Sequence, residues 1–529
     1  MKSKYILLLF FFFPFLLFSQ QLNFPLNNPF LISLEKKVSA PDTFFHTAIK
    51  PWLCSELNKI VDIDSLQSTL NKNTKTRIGR KLFNEHLIHI NKDGLNLTID
   101  PALNFEVGKD LVKNDEMKFV NTRGFQVEGS IQKKFSFFTT FYENQAKFIE
   151  YLDKNIQLYR VVPGQGLIKD FKGSGFDYAW ASGYISYTPS KYVNIQFGHG
   201  KNFWGDGYRS LLISDNAFNY PYLKISTNIW RFKYVNLYAE FQDLKTPYSY
   251  DLGFHKKYGT FHYLSYAVNK RLNIGLFESI IWKAEDSTGF RGFDINYLNP
   301  VIFFRPVEFS LGSPDNALMG LNISYKIRKN NVVYGQLLLD EFKIHEVIPG
   351  SGWWANKQAF QLGFKSYDVF GLKNLYLQTE FNSVRPYTYT SRSTLQNYAH
   401  YNQALAHPLG ANFRESVSFL KYNVKRFFAE FKFNHAVYGA DIDGVNFGKD
   451  IFKSYDTHPK EYDNYIGQGI KTKLTYKDFK ISYLLNLSTN LNISLGISDR
   501  TEKSVIINKH STFIYFGIRT SLHNFYYDF

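Results

Sequence analysis

The chain has 529 residues, a formal net charge of +16 at pH 7 and a single cysteine, Cys54. One cysteine excludes an internal disulfide, a cysteine-based zinc finger, an iron–sulfur cluster and CxxC redox chemistry. Aromatic residues make up 18% of it, yet the mean hydropathy is −0.28 and no stretch beyond the N-terminus approaches the length of a membrane-spanning helix, so any membrane crossing falls to two-faced strands.

At the N-terminus, Lys2 and Lys4 precede an apolar run from Tyr5 to Phe18, and Ser19 offers a small residue before Gln20. Residues 1–19 therefore read as a secretory signal peptide, too short and wrongly flanked for a spanning helix. No cysteine follows the expected cleavage point, which argues against a lipid anchor. Residues 20–100 read as polar and helical. Ile49, Leu53, Leu57 and Ile60 recur at helical spacing, with Pro51 near the start, and Ile78, Leu82, Leu87 and Ile90 repeat the theme less cleanly. Helices this short hold only when packed against something larger. A small helical plug at the periplasmic mouth of a barrel is the expected use.

From residue 101 to 529 the period becomes two. Phe105 and Val107 alternate with Asn104 and Glu106, and Val235, Leu237, Ala239 and Phe241 alternate with Asn236, Tyr238, Glu240 and Gln242. Leu375, Leu377 and Phe381 oppose Tyr376, Gln378, Glu380 and Asn382 in the same way. One apolar and one polar face is the signature of a barrel wall with lipid outside and a wet lumen inside. A secreted β-sandwich array shares the alternation and remains the alternative on composition alone. At about 10 residues per strand plus turns, this region supplies on the order of 16 to 20 strands. The ending Phe525-Tyr526-Tyr527-Asp528-Phe529 reads as an aromatic last strand closing on a terminal Phe. The expected fold is an all-β transmembrane barrel of antiparallel strands with a small N-terminal helical periplasmic plug.

Three loop motifs stand out. Gly198-His199-Gly200-Lys201-Asn202-Phe203-Trp204-Gly205-Asp206-Gly207-Tyr208-Arg209-Ser210 follows an alternating strand and runs on to Asp215. Glycine lets a backbone turn and approach closely, and Trp, Tyr, Asp and Arg are side chains that stack on and hydrogen-bond a sugar. The second motif is Leu298-Asn299-Pro300-Val301-Ile302-Phe303-Phe304-Arg305-Pro306-Val307-Glu308-Phe309, with Asp315 and Asn316 downstream; the third is Leu405-Ala406-His407-Pro408-Leu409-Gly410-Ala411-Asn412. Candidate carbohydrate contacts are Trp204, Asp206, Tyr208, Arg209, Asp215, Arg305, Glu308, Asp315 and Asn316. The same residue types also fold inward to fill a lumen through ion pairs, and that structural role is the competing reading.

These motifs resemble the Wzi-type capsule-assembly family of outer-membrane proteins and, within it, the RemB-like proteins of gliding bacteria. The resemblance implies 18 strands, an outer-membrane location and the binding or organisation of surface polysaccharide, with a link to adhesion or gliding. A docking component of a secretion or gliding apparatus, without sugar binding, is the alternative. A wide diffusion channel fits poorly, because an open pore needs neither a plug nor so many long loops.

Catalytic signatures are missing: the sequence has no GxSxG elbow, Walker loop, GxGxxG loop or HExxH. His199, Ser210 and Asp215 are triad residue types without elbow geometry, and they read as turn-stabilising. Asp441-Ile442-Asp443-Gly444-Val445-Asn446 lacks the distal glutamate of a calcium loop and reads as an Asx turn. No cofactor, metal or enzymatic activity is expected. The positive charge suits anionic partners, namely lipopolysaccharide phosphates or an acidic polysaccharide, or else basic rims resting on outer-membrane lipid. Nucleic acid is a poor partner for an exported chain without a dense basic run.

Overall fold

The computed structural model describes residues 21–529 apart from 114–115, 248–252, 287–288, 301, 304–305, 307–309, 311, 313–314 and 443. The run read as a signal peptide, residues 1–19, lies outside the described residues.

Eighteen antiparallel strands close into a barrel. In chain order β1 is Leu95–Pro101 resuming as Asn104–Asp110, followed by β2 Lys118–Ile131, β3 Phe135–Lys147, β4 Gly175–Ser190, β5 Val193–Gly200 and β6 Tyr220–Ile229. Next come β7 Phe232–Pro247, β8 Phe254–Ala267, β9 Leu272–Lys283, β10 Asn316–Arg328, β11 Asn331–Leu339 and β12 Gln358–Tyr367. The last six are β13 Leu375–Val384, β14 Phe413–Val424, β15 Phe427–Ala440, β16 Ile470–Asn486, β17 Leu491–Lys503 and β18 Asn508–Thr520. Closure is made by β18 on β1, with Phe513 opposite Asp110 and Arg519 opposite Asn104. Among the described residues no helix is long and apolar enough to cross a membrane.

The two rims differ. The connections 191–192, 230–231, 329–330 and 425–426 are tight turns at one rim, whereas the strands at the other rim are joined across the longer stretches 148–174, 201–219, 284–315, 385–412 and 441–469. Short turns mark the periplasmic rim of such barrels and long loops the outer one.

Over most of the wall the two-residue period sorts as the sequence predicts. Phe105, Val107 and Phe381 are exposed to the outside, while Gln378, Glu380 and Asn382 are buried toward the lumen. Strands β7 to β9 invert it. Val235, Leu237, Phe241, Phe261 and Phe277 point inward and are fully buried in one apolar cluster. Asn236, His262 and Glu278 point outward but are no more than 5% exposed, because part of the 284–315 loop lies against them. The hydroxyl of Tyr238 donates to the Leu298 carbonyl at 2.9 Å, that of Tyr234 to the Pro300 carbonyl at 2.5 Å, and that of Thr260 to the Tyr297 carbonyl at 3.1 Å.

The N-terminal segment departs from the expected helical plug in two respects. First, it enters the lumen: the helix Leu31–Val38 buries Leu34 and Val38, and Lys326 of β10 donates to the carbonyls of Val38, Ala40 and Thr43. Second, the run read as a helix from Ile49 to Ile60 is largely not one. Ile49–Lys50 is a strand paired with Phe203–Trp204, and only Cys54–Leu57 is helical. A residue preceding proline disfavours helix, and the pairing partner supplied by the loop decides the outcome. The wall also starts at Leu95 rather than at 101, and Ile90 belongs to the strand Ile88–Lys92, which pairs with β1. At the other end, the last strand stops at Thr520 and the aromatic ending does not extend it. Residues 521–529 turn back into the lumen, where Tyr526 and Asp528 are buried.

Candidate functional site

The first motif occupies the centre of the lumen. Its strand Phe203–Trp204 is held on one edge by Ile49–Lys50, and the Trp204 carbonyl accepts from Ser210 Oγ at 2.6 Å. Trp204 is fully buried, its ring 5.5 Å from Tyr263 and 6.1 Å from Phe277. Asp206 accepts from Thr47 Oγ1 at 2.5 Å and from Asn322 Nδ2 at 3.1 Å. Gly207 has no room for a side chain: a Cβ there would lie 2.2 Å from Glu380 Oε2 and 2.7 Å from the Arg209 carbonyl. The backbone N–H groups of Tyr208 and Arg209 can therefore both donate to the Glu380 carboxylate, at 2.8 and 3.1 Å.

Arg209, 1% exposed, joins three segments. Its Nη2 lies 3.0 Å from Glu415 on β14 and 3.0 Å from Asp528 in the tail. Burial pushes the Asp528 carboxyl up, but Arg209 and Lys432 outweigh it and hold that carboxyl below its usual range. Burial pushes the His407 imidazole down. Its Nδ1 accepts the Leu409 N–H at 3.1 Å, which leaves Nε2 to face Glu415 at 2.7 Å. Asp215 is capped by the Tyr526 hydroxyl at 2.7 Å and Asn524 Nδ2 at 2.9 Å. Thus Trp204, Asp206, Arg209 and Asp215 form an internal frame that binds loop, wall and tail, and none of these four presents a surface to a ligand. Tyr208 is half-buried and points its hydroxyl at Asp528, 3.0 Å away. His199, Ser210 and Asp215 do not assemble: His199 Nδ1 lies 3.2 Å from the Ala181 carbonyl, and Ser210 bonds Trp204.

In the second motif, Arg305 and Glu308 lie outside the described residues. Asp315 accepts from Arg291 at 2.9 and 3.0 Å and from the Tyr297 hydroxyl at 2.7 Å. Asn316 donates to the Gln396 carbonyl at 2.8 Å. Asp315 also accepts from Gln396 Nε2 at 3.2 Å, so the 284–315 loop and the start of β10 are both held to the 385–412 loop, again as structure. In the Asp441–Asn446 run, Asp441 accepts the Phe447 N–H at 2.8 Å and Asn446 accepts the Gly448 N–H at 2.9 Å, while Asp443 lies outside the described residues. Among the described residues no group of three His, Cys, Asp or Glu could hold a metal ion.

The surface available to a ligand lies above this frame. A cleft of about 580 Å³ opens at the long-loop rim, between the helix Glu150–Tyr159, the third motif at Pro408 to Gly410, and the 441–469 loop. Half-buried Tyr159 and Phe452 stand 5.8 Å apart on its wall, and Asn402 Nδ2 is fixed by the Tyr159 carbonyl at 3.0 Å. Arg500 sits 3.1 Å from Glu502 and 4.3 Å from the Tyr151 ring centroid, and Lys453 pairs with Asp441. The Lys449 ammonium lies over the Tyr438 ring at 4.6 Å. Aromatic faces beside amides and paired charges suit a sugar, whose CH faces stack and whose hydroxyls both donate and accept. Sequence reading singled out none of Tyr159, Lys449 or Phe452. The one available signal was Gly448-Lys449-Asp450-Ile451-Phe452-Lys453, an aromatic and charged run directly after the Asx turn.

No protein-family model matches the chain, and no curated protein sequence does. Among solved structures it is similar to Wzi of Escherichia coli, described as an outer-membrane protein involved in group 1 capsule assembly and a carbohydrate-binding β-barrel. That match covers 92% of this chain and 97% of the other, at 12% identity and a TM-score of 0.54. The fold is that of a bacterial outer-membrane barrel. OprD of Pseudomonas aeruginosa matches 83% of this chain and 98% of its own at 11% identity, with a TM-score of 0.42.

Proposed function

We propose that this protein holds surface polysaccharide at the outer mouth of a plugged outer-membrane barrel, acting by binding rather than by catalysis. The observation that carries the reading is the rim cleft, where Tyr159, Phe452 and Asn402 come together. The similarity to a barrel described as carbohydrate-binding supports it. Retention of capsule or exopolysaccharide, and through it adhesion or the gliding that the RemB-like resemblance implies, would follow from such a site.

The test is retention of purified polysaccharide by the detergent-solubilised protein. A stacked aromatic contributes about 0.5–1.5 kcal/mol beyond its buried area, so Tyr159→Ala with Phe452→Ala should weaken binding roughly tenfold. A closed barrel resists detergent unfolding and should migrate faster unboiled than boiled; unchanged retention in a double variant that keeps this heat-modifiable mobility would move the site elsewhere. Absence of any glycan binding by the intact protein would favour a docking role in a secretion or gliding apparatus.

A further inference from the structure

A second cavity, of about 430 Å³, runs down the lumen between the N-terminal plug and the wall formed by β12–β18 and β1–β4. Its lining reaches from Asn423 and Ser521, beside the short turns, to Lys118 and Lys147 at the feet of the long loops.

Its charge is one-sided. Lysine and arginine outnumber aspartate and glutamate in the lining by eight to four. Toward the short-turn rim two ammonium groups share one carboxylate: Lys421 lies 2.7 Å and Lys480 3.2 Å from Glu430. On β18, Arg519 donates to the His523 carbonyl at 3.0 Å, and Glu106 is the carboxylate of the lining that faces it. Low-dielectric walls focus the field of such a stripe, and charged side chains lining a pore set the sign of the ion it passes.

We infer that the barrel is also an anion-selective pore, passing small inorganic or carboxylate anions along the side of the plug. Lys421 and Lys480 are its selectivity residues. This function is independent of polysaccharide retention, which uses the cleft at the rim.

The test is conductance of the intact, heat-modifiable protein in planar bilayers under a KCl gradient. We expect small unitary currents and a reversal potential that reports chloride preferred over potassium by at least about threefold. Lys421→Gln with Lys480→Gln should bring that ratio close to one while glycan retention stays unchanged. A folded wild-type protein that carries no current, or that prefers potassium, overturns the inference, as does a double variant with unaltered selectivity. Should the double variant fail to assemble, Glu430→Gln provides the opposite perturbation and must raise the chloride preference; a fall or no change refutes the assignment.

Discussion

Replacing Arg209 by methionine should release the internal tail without opening the wall. The guanidinium lies 3.0 Å from Glu415 and 3.0 Å from Asp528, whose side chains are both fully buried. Removing one partner of a buried pair costs about 3–5 kcal/mol, because the remaining charge is stranded. The lower end applies here. Glu415 would keep His407 at 2.7 Å, Asn434 at 2.9 Å and Asn382 at 3.1 Å. Asp528 would keep the Tyr208 hydroxyl at 3.0 Å and Lys432 at 3.3 Å. About 3 kcal/mol corresponds to a shift of more than about a hundredfold toward the released tail. Chymotrypsin digestion of the folded barrel in detergent reads this directly, since cleavage of a transiently open segment follows its open population. Cutting at Tyr526 and Tyr527 should accelerate about a hundredfold while the unboiled band still migrates fast. Adding Asp528→Asn should recover part of the loss by removing one stranded charge. Native cleavage rates in Arg209→Met, or no recovery in the double variant, would refute the account of the frame as an electrostatic lock.

Trp204→Ala should cost about 3–5 kcal/mol, as for a large aromatic removed from a packed core. It should lower the thermal midpoint of unfolding in detergent, whereas glycan retention by the fraction that remains folded should be unchanged; selective loss of retention would restore Trp204 to the binding site. A pH effect is expected from His400, which is 3% exposed and whose imidazole burial holds down at about 3. Its Nδ1 accepts the Gln242 N–H at 3.0 Å while Nε2 faces the Asn219 carbonyl at 3.1 Å, so a second proton has no acceptor. The unfolded histidine takes that proton near pH 6.5, so the contribution is complete above 6.5 and is lost as pH falls toward 3. By pH 5 the loss is about 2 kcal/mol. Protease sensitivity of the 385–412 loop, followed from pH 7.5 to 4.5 in wild type and His400→Gln, checks it: a flat wild-type profile excludes the effect.

Much of the architecture follows from local pattern. Two-residue alternation such as Phe105-Glu106-Val107 specifies a wall wherever one face meets lipid and the other a polar lumen, and enough such segments close a barrel because open edges in a membrane leave backbone groups unsatisfied. The tertiary structure alone decided where that rule inverts. Val235, Leu237 and Phe241 alternate as cleanly as any segment, yet they face inward, because Trp204 and Leu211 to Ile213 bring an apolar surface into the lumen on that side. Local sequence carries no trace of what a distant loop will place opposite it. For the same reason Ile49 reads as helical but pairs with Trp204 across 155 positions, and the aromatic ending reads as a strand but turns inward toward Arg209 and Asp215. The first motif shows the limit most clearly. Its residue types fit sugar recognition and lumen filling equally well, and only burial, a property of the assembled barrel, separates the two. Tyr159 and Phe452 are separated by almost three hundred residues and meet only because closing the barrel brings their loops to one rim.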